Sequence, residues 1–151
     1  LVGDVGRLVG TDGRSKMSKS LNNAIYLKDD EKTVEKMIKN MFTDPKRIHP
    51  DDPGTVEGNP VFIYHDAFNP NKEEVADLKE RYVKGTVSDV EVKNRLNNVL
   101  CEFLAPIRER RKQAEQEDLN AIVQQGVHDA REIATKTLER MRDLMYLNYR
   151  F

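Results

Sequence analysis

The sequence predicts an all-α protein, a helical bundle, and three observations carry that expectation. Apolar residues recur at helical spacing through most of the chain beyond residue 28, and no alternating strand pattern occurs there. Charged residues make up 34% of the 151 positions and aromatics only 7%, against roughly 25% charged in an ordinary soluble domain, as expected of helices with long solvated faces.

The elements follow in order. Val34, Met37, Ile38, Met41 and Phe42 form an amphipathic stripe, with Asp30 as N-cap and Asp44-Pro45 as the stop. Asn59-Pro60 sets a cap and a first-turn proline before the apolar run Val61–Phe68, closed by Asn69-Pro70, which reads as a short buried helix. Asn71 and Glu74 open a third helix that Gly85 ends. Ser88 and Glu91 form a capping box for a long helix through Val92, Leu96, Leu100 and Leu104, in which Pro106 is expected to introduce a kink. The last stripe, Leu119 to Met145, is expected to be interrupted at Gly126. These stripes should supply one another's apolar faces. Residues 44–59, with three Pro and two Gly, form the main loop.

Composition excludes several classes. No apolar run is long enough to span a membrane as a helix, and the N-terminus lacks the charged and apolar regions of a secretory signal. A single cysteine, Cys101 in an apolar helical setting, supports neither a disulfide framework nor a cysteine zinc site and fits a reducing, cytoplasmic home. His49, His65 and His128 are too scattered for a ligand motif, so no metal site is expected. The Met37/Met41 and Met141/Met145 pairs lie on the apolar stripes and read as core. The opening in mid-pattern, without Met, reads as a cut from a longer protein.

Lys+Arg number 25 against 26 Asp+Glu, a formal charge of −1, yet the balance is uneven. Residues 1–28 carry five bases against two acids, and residues 29–57 carry eight acids against five bases. The basic head is rich in Gly and contains Gly10-Thr11-Asp12-Gly13, which calls for turn geometry. It leads into Lys16-Met17-Ser18-Lys19-Ser20. Two ammonium groups interleaved with hydroxyls on a glycine-flanked loop can place several donors on the β- and γ-phosphates of a nucleotide. The Walker pattern is absent, and a generic Lys-x-x-Lys is a solvated basic loop. The full five-residue string, however, arises by chance in a chain of this length with a frequency on the order of 10⁻⁴.

The segment Gly10–Asn23 resembles the second signature of the class I aminoacyl-tRNA synthetases, the Lys-Met-Ser-Lys-Ser loop at the end of their Rossmann catalytic domain. Thr43-Asp44-Pro45, then Gly58-Asn59-Pro60-Val61-Phe62-Ile63-Tyr64, Leu104-Ala105-Pro106-Ile107-Arg108-Glu109-Arg110 and Gly126 with Ala130, Ile133 and Ala134 are similar, in that order, to the C-terminal part of the bacterial tryptophanyl-tRNA synthetases. Two departures stand out. Asn22 occupies a position where the family usually has Gly, and Asn is the non-glycine residue that best tolerates the left-handed conformation. No His-x-Gly-His signature, the family's other ATP-binding element, occurs.

The resemblance implies a C-terminal fragment. Residues 1–28 would be the end of the Rossmann domain, and residues 29–151 a helical anticodon-binding domain. Residues 1–20 are then expected to be poorly ordered without their sheet, and the chain alone to be unable to activate an amino acid. In the intact enzyme, which would join tryptophan to tRNA(Trp) at the expense of ATP, Lys16 and Lys19 would grip the triphosphate as pyrophosphate leaves. Ser18 and Ser20 would supply hydroxyl and backbone donors, and Met17 would pack or lie near the adenine. Mg²⁺ would arrive with ATP, and the intact enzyme would be a homodimer. Lys46, Arg47, Arg108 and Arg111, with Arg110 and Lys112, are candidate tRNA contacts, against the alternative that such charge runs are solvated helix faces. The alternatives are a tyrosyl or other class I synthetase, and a non-catalytic helical interaction module.

Overall fold

Five helices account for most of the chain in the computed structural model, which describes residues 8–13, 16–45, 47, 49 and 51–147. They are α1 (Glu31–Lys39), α2 (Pro60–Phe68), α3 (Lys72–Val83), α4 (Asp89–Ala114) and α5 (Leu119–Leu144). Among the described residues there is no strand, only an isolated antiparallel bridge between Val9 and Lys16. Nor, among those residues, is any helix long and apolar enough to cross a membrane.

The helix starts follow the capping residues. Asp30 accepts from the Thr33 N–H at 2.8 Å, which together with its partner's hydroxyl holds the carboxyl below its usual range. Asn59 and Asn71 accept from Val61 N–H and Glu74 N–H at 3.0 Å each, caps worth about 1 kcal/mol apiece. The Ser88 hydroxyl accepts from the Glu91 N–H at 3.1 Å, but the Glu91 carboxylate turns to Arg81, so the capping box is half made. α3 ends in a Schellman turn: Gly85 N–H donates to Tyr82 C=O at 3.2 Å and Thr86 N–H to Arg81 C=O at 2.8 Å. Gly85 has φ +70, and a Cβ there would meet the Asp51 carbonyl oxygen at 2.1 Å, so both the turn and the Pro-rich loop require glycine.

The chain divides into two compact units, Leu1–Arg111 and Lys112–Phe151. In the first unit the core is built by Val34 and Ile38 of α1, Phe62 and Tyr64 of α2, Leu78 and Tyr82 of α3 and Leu96 and Leu100 of α4. Each such side chain contributes roughly 1.5–3 kcal/mol on burial. Phe62 and Tyr82 meet edge to face at 4.9 Å. α4 runs through Pro106 without ending.

In the second unit α5 is capped by Asp118, whose carboxylate accepts from Asn120 and Ala121 N–H. It passes through Gly126 unbroken, since a single glycine costs only about 1 kcal/mol in a helix interior. None of the residues of α5 is buried.

Two polar side chains lie deep in the first unit. Lys93 is 7% exposed and donates to the carbonyls of Lys39 and Met41 and to the Thr43 hydroxyl, at 3.1, 2.7 and 2.9 Å. It thereby closes the C-terminal end of α1 from α4, and its burial lowers the ammonium pKa. His65 is fully buried. Its Nε2 sits 3.1 Å from the Val92 carbonyl and must carry the proton, which leaves Nδ1 to accept from Asn69 at 3.3 Å.

Burial holds the His65 pKa below its usual 6.5. The unfolded chain therefore binds more protons in mild acid, and this contribution is full above about pH 6.5 and lost as pH falls from there towards the depressed folded value. Urea unfolding between pH 7.5 and 5 should show stability falling with a slope of at most about 1.4 kcal/mol per pH unit from this one proton, and His65→Gln should remove that slope.

Candidate functional site

The lysine loop is built from the Val9–Lys16 bridge outward. Gly13 N–H donates to Gly10 C=O at 2.9 Å and closes a turn, and Asn22 N–H donates to Lys19 C=O at 3.2 Å and closes another. Asn22 takes φ 50, the left-handed conformation expected of it. Lys16, Lys19 and Ser20 are exposed, and among the described residues neither ammonium is paired.

One side chain, missed in the sequence, organises this segment. Asn23 is 3% exposed, and its Oδ1 accepts from the Ser18 N–H at 2.7 Å. Its Nδ2 donates to the Lys16 carbonyl at 3.2 Å and to Asp12 Oδ1 at 3.1 Å. Its own carbonyl accepts from the Thr11 N–H at 2.9 Å. The only sequence signal was an amide residue directly after a left-handed position, a place where side chain to backbone bonds are common.

Within residues 8–13 and 16–25, several ties fasten the loop to the helices. Tyr64 of α2 donates its hydroxyl to the Val9 carbonyl at 2.8 Å. Burial, with Asp12 nearby, pushes that phenol up to about 12, so it stays a donor. Phe42 N–H donates to the Thr11 carbonyl at 3.0 Å. Leu8, Val9, Met17 and Ile25 pack against the core, and Met17 with Ile25 and Phe103 lines an apolar cavity of about 220 Å³.

Met17 packs, half-buried, against the helical core. The Ser18 backbone donor is taken by Asn23, and the Ser18 and Ser20 hydroxyls face each other at 2.9 Å.

The candidate tRNA contacts are not brought together. Lys46 lies outside the described residues. Arg47 is buried: its guanidinium meets Asp89 at 3.1 Å, donates to the Val87 carbonyl at 2.8 Å and lies over the Tyr82 ring at 4.3 Å. Tyr82 in turn donates to Asp89 at 2.8 Å, with its phenol pushed up to about 12 by burial. Arg47 therefore locks the Pro-rich loop to α3 and α4, and a residue so enclosed cannot meet a phosphate. Arg108 is 15% exposed along its side chain and turns towards Glu31 at 3.4 Å. It sits 19 residues beyond Asp89 on α4, which is roughly 28 Å along the axis. Arg110 and Arg111 are exposed.

The family model for tRNA synthetases class I (W and Y) matches residues 5–105, two thirds of the chain. The chain belongs to that family. The tryptophan--tRNA ligase of Treponema pallidum is 53% identical over 152 residues, spanning 99% of this chain and 45% of its own length. That of Borreliella burgdorferi is 54% identical over 93% of this chain and 41% of its own. Among solved structures, the tryptophanyl-tRNA synthetase of Campylobacter jejuni complexed with ADP and tryptophan superposes with a TM-score of 0.79 at 29% identity, over 94% of this chain and 44% of that one. This class I synthetase chain thus spans less than half the length of the relatives it matches.

Replacing Arg47 by Ala leaves Asp89 without its cation and Tyr82 without its stacking partner. Urea unfolding should show a loss of about 3 kcal/mol, at the lower end for a broken buried pair because Asp89 retains some solvent.

Proposed function

We propose that this chain is the C-terminal part of a tryptophan–tRNA ligase, and that it supplies the phosphate-gripping loop for ATP together with a surface for the anticodon of tRNA(Trp). The observation that carries the first part is the pair of exposed ammonium groups of Lys16 and Lys19, unpaired among the described residues, on a loop held from behind by Asn23 and Tyr64. In activation, the tryptophan carboxylate attacks the α-phosphorus and pyrophosphate departs, so negative charge builds on the β- and γ-phosphates. Two cations fixed beside that charge favour the transition state over the ground state and need no proton-transfer residue. Mg²⁺ enters in this reading as part of the ATP substrate, and the reaction takes place in a soluble, dimeric, cytoplasmic enzyme whose tryptophan pocket lies outside this sequence.

For the tRNA, Arg111 with its neighbour Arg110 is the exposed cationic pair at the end of the first unit and suits phosphate contact. Arg47, enclosed as it is, drops out of this role.

In the intact protein, Lys16→Ala and Lys19→Ala should each lower the rate of tryptophan-dependent ATP–pyrophosphate exchange by roughly 10²–10³-fold, with little change in the KM for tryptophan. Wild-type exchange rates in both variants would sink the assignment. Arg111→Ala should weaken tRNA binding to a similar degree for cognate and anticodon-swapped tRNA and reduce the slope of log affinity against log salt by about 0.7–0.9. An unaltered slope would clear Arg111 of phosphate contact.

A further inference from the structure

We infer that Asn23 is a positioning residue of the lysine loop, a side chain that sets where Lys16 and Lys19 stand relative to each other; this rests on the reading of the loop as an ATP-phosphate grip.

Among the described residues the carboxamide accepts from Ser18 N–H, between the two lysines, and donates to the Lys16 carbonyl and to Asp12 in the glycine turn. The backbone is thus gripped on both sides of Met17, while the lysine side chains remain exposed. No other side chain of this size has an acceptor and a two-hydrogen donor on one planar group. The glycine turn is shaped to admit it: a Cβ at Gly10 would meet Asn23 Nδ2 at 2.2 Å and Cγ at 2.7 Å. Gly10 and Asn23 are therefore one device, a gap and the group that fills it. Through its own carbonyl and Thr11, Asn23 is continuous with Phe42 at the end of α1, so the loop geometry is referred to the helical core.

The expected signature separates placement from binding. Without the carboxamide the two ammonium groups remain able to attract ATP, but they no longer stand where charge develops. Misplacement by about 1 Å costs roughly a hundredfold in rate.

The test compares Asn23→Ala, Asn23→Asp and Gly10→Ala in the intact protein by ATP–pyrophosphate exchange, with circular dichroism and thermal unfolding to show that each variant is folded. Both Asn23 variants should lose roughly a hundredfold in kcat while the KM for ATP changes less than threefold, and Gly10→Ala, which keeps the Asn23 carboxamide but displaces it, should behave alike. Asn23→Asp is the telling case. It keeps the shape and the acceptor but turns lone pairs towards Asp12 and the Lys16 carbonyl, so a merely space-filling Asn23 would leave it at the wild-type rate. A second readout needs no turnover: by amide hydrogen exchange, Ser18 N–H should be protected in the unaltered chain and lose at least tenfold of that protection in Asn23→Ala. Wild-type kcat in Asn23→Asp, or an unprotected Ser18 amide, overturns the positioning role. If the unaltered intact protein shows no tryptophan-dependent exchange, the functional reading itself falls and the catalytic part of this inference with it, an outcome distinct from the first because it does not depend on Asn23.

Discussion

A polar atom taken out of water must find a partner, and that constraint decides where the irregular parts of this chain lie. Leaving such a group unsatisfied costs about 1–3 kcal/mol, more if it is charged, which exceeds the net gain of an ordinary hydrogen bond. His65 and Lys93 meet the demand with bonds that cross long stretches of sequence, Arg47 does so in part, and Asn23 meets it within its own segment. Lys93 reaches from α4 to the end of α1, Arg47 from the Pro-rich loop to Val87 and Asp89, and His65 from α2 to Val92. The apolar contacts among α1–α4 supply the bulk of the stability, but they are indifferent to small shifts in register. The buried polar bonds are not, and they fix the ends and the loops.

What could be read from the sequence divides along the same line. Helices and their caps are local: Asp30, Asn59, Asn71 and Gly85 act on residues within a turn of themselves, and all four do what their position in the chain implies. The Lys16–Ser20 string and the left-handed Asn22 are local too. Arg47 looked like a phosphate contact because its partners, Tyr82 and Asp89, are distant in sequence and nothing near it marks them. Lys93 was legible in principle, since it interrupts the apolar stripe of α4 at a position facing inward. Asn23 was hidden by its neighbour, whose conformation drew the attention. Gly126 does not interrupt α5, because a long helix can absorb one glycine within its length.

The chemistry assigned to the loop makes modest demands on the residues that carry it. Displacing pyrophosphate requires charge in the right place and no tuned acid or base, so the lysines themselves can stand in water, and precision is delegated to groups that never touch the substrate. This explains why the exposed part of the site is simple while the layer behind it, Gly10, Asn23, Thr11 and Tyr64, is closely determined.

The tie between Tyr64 and the Val9 carbonyl, together with that between Phe42 and Thr11, removes the loop's independence. The lysines share a frame of reference with α1 and α2, much as a stylus shares one with the arm that holds it. A tilt of those helices therefore also moves the backbone that carries the ammonium groups, so an event felt by the helical core is also an event at the tip.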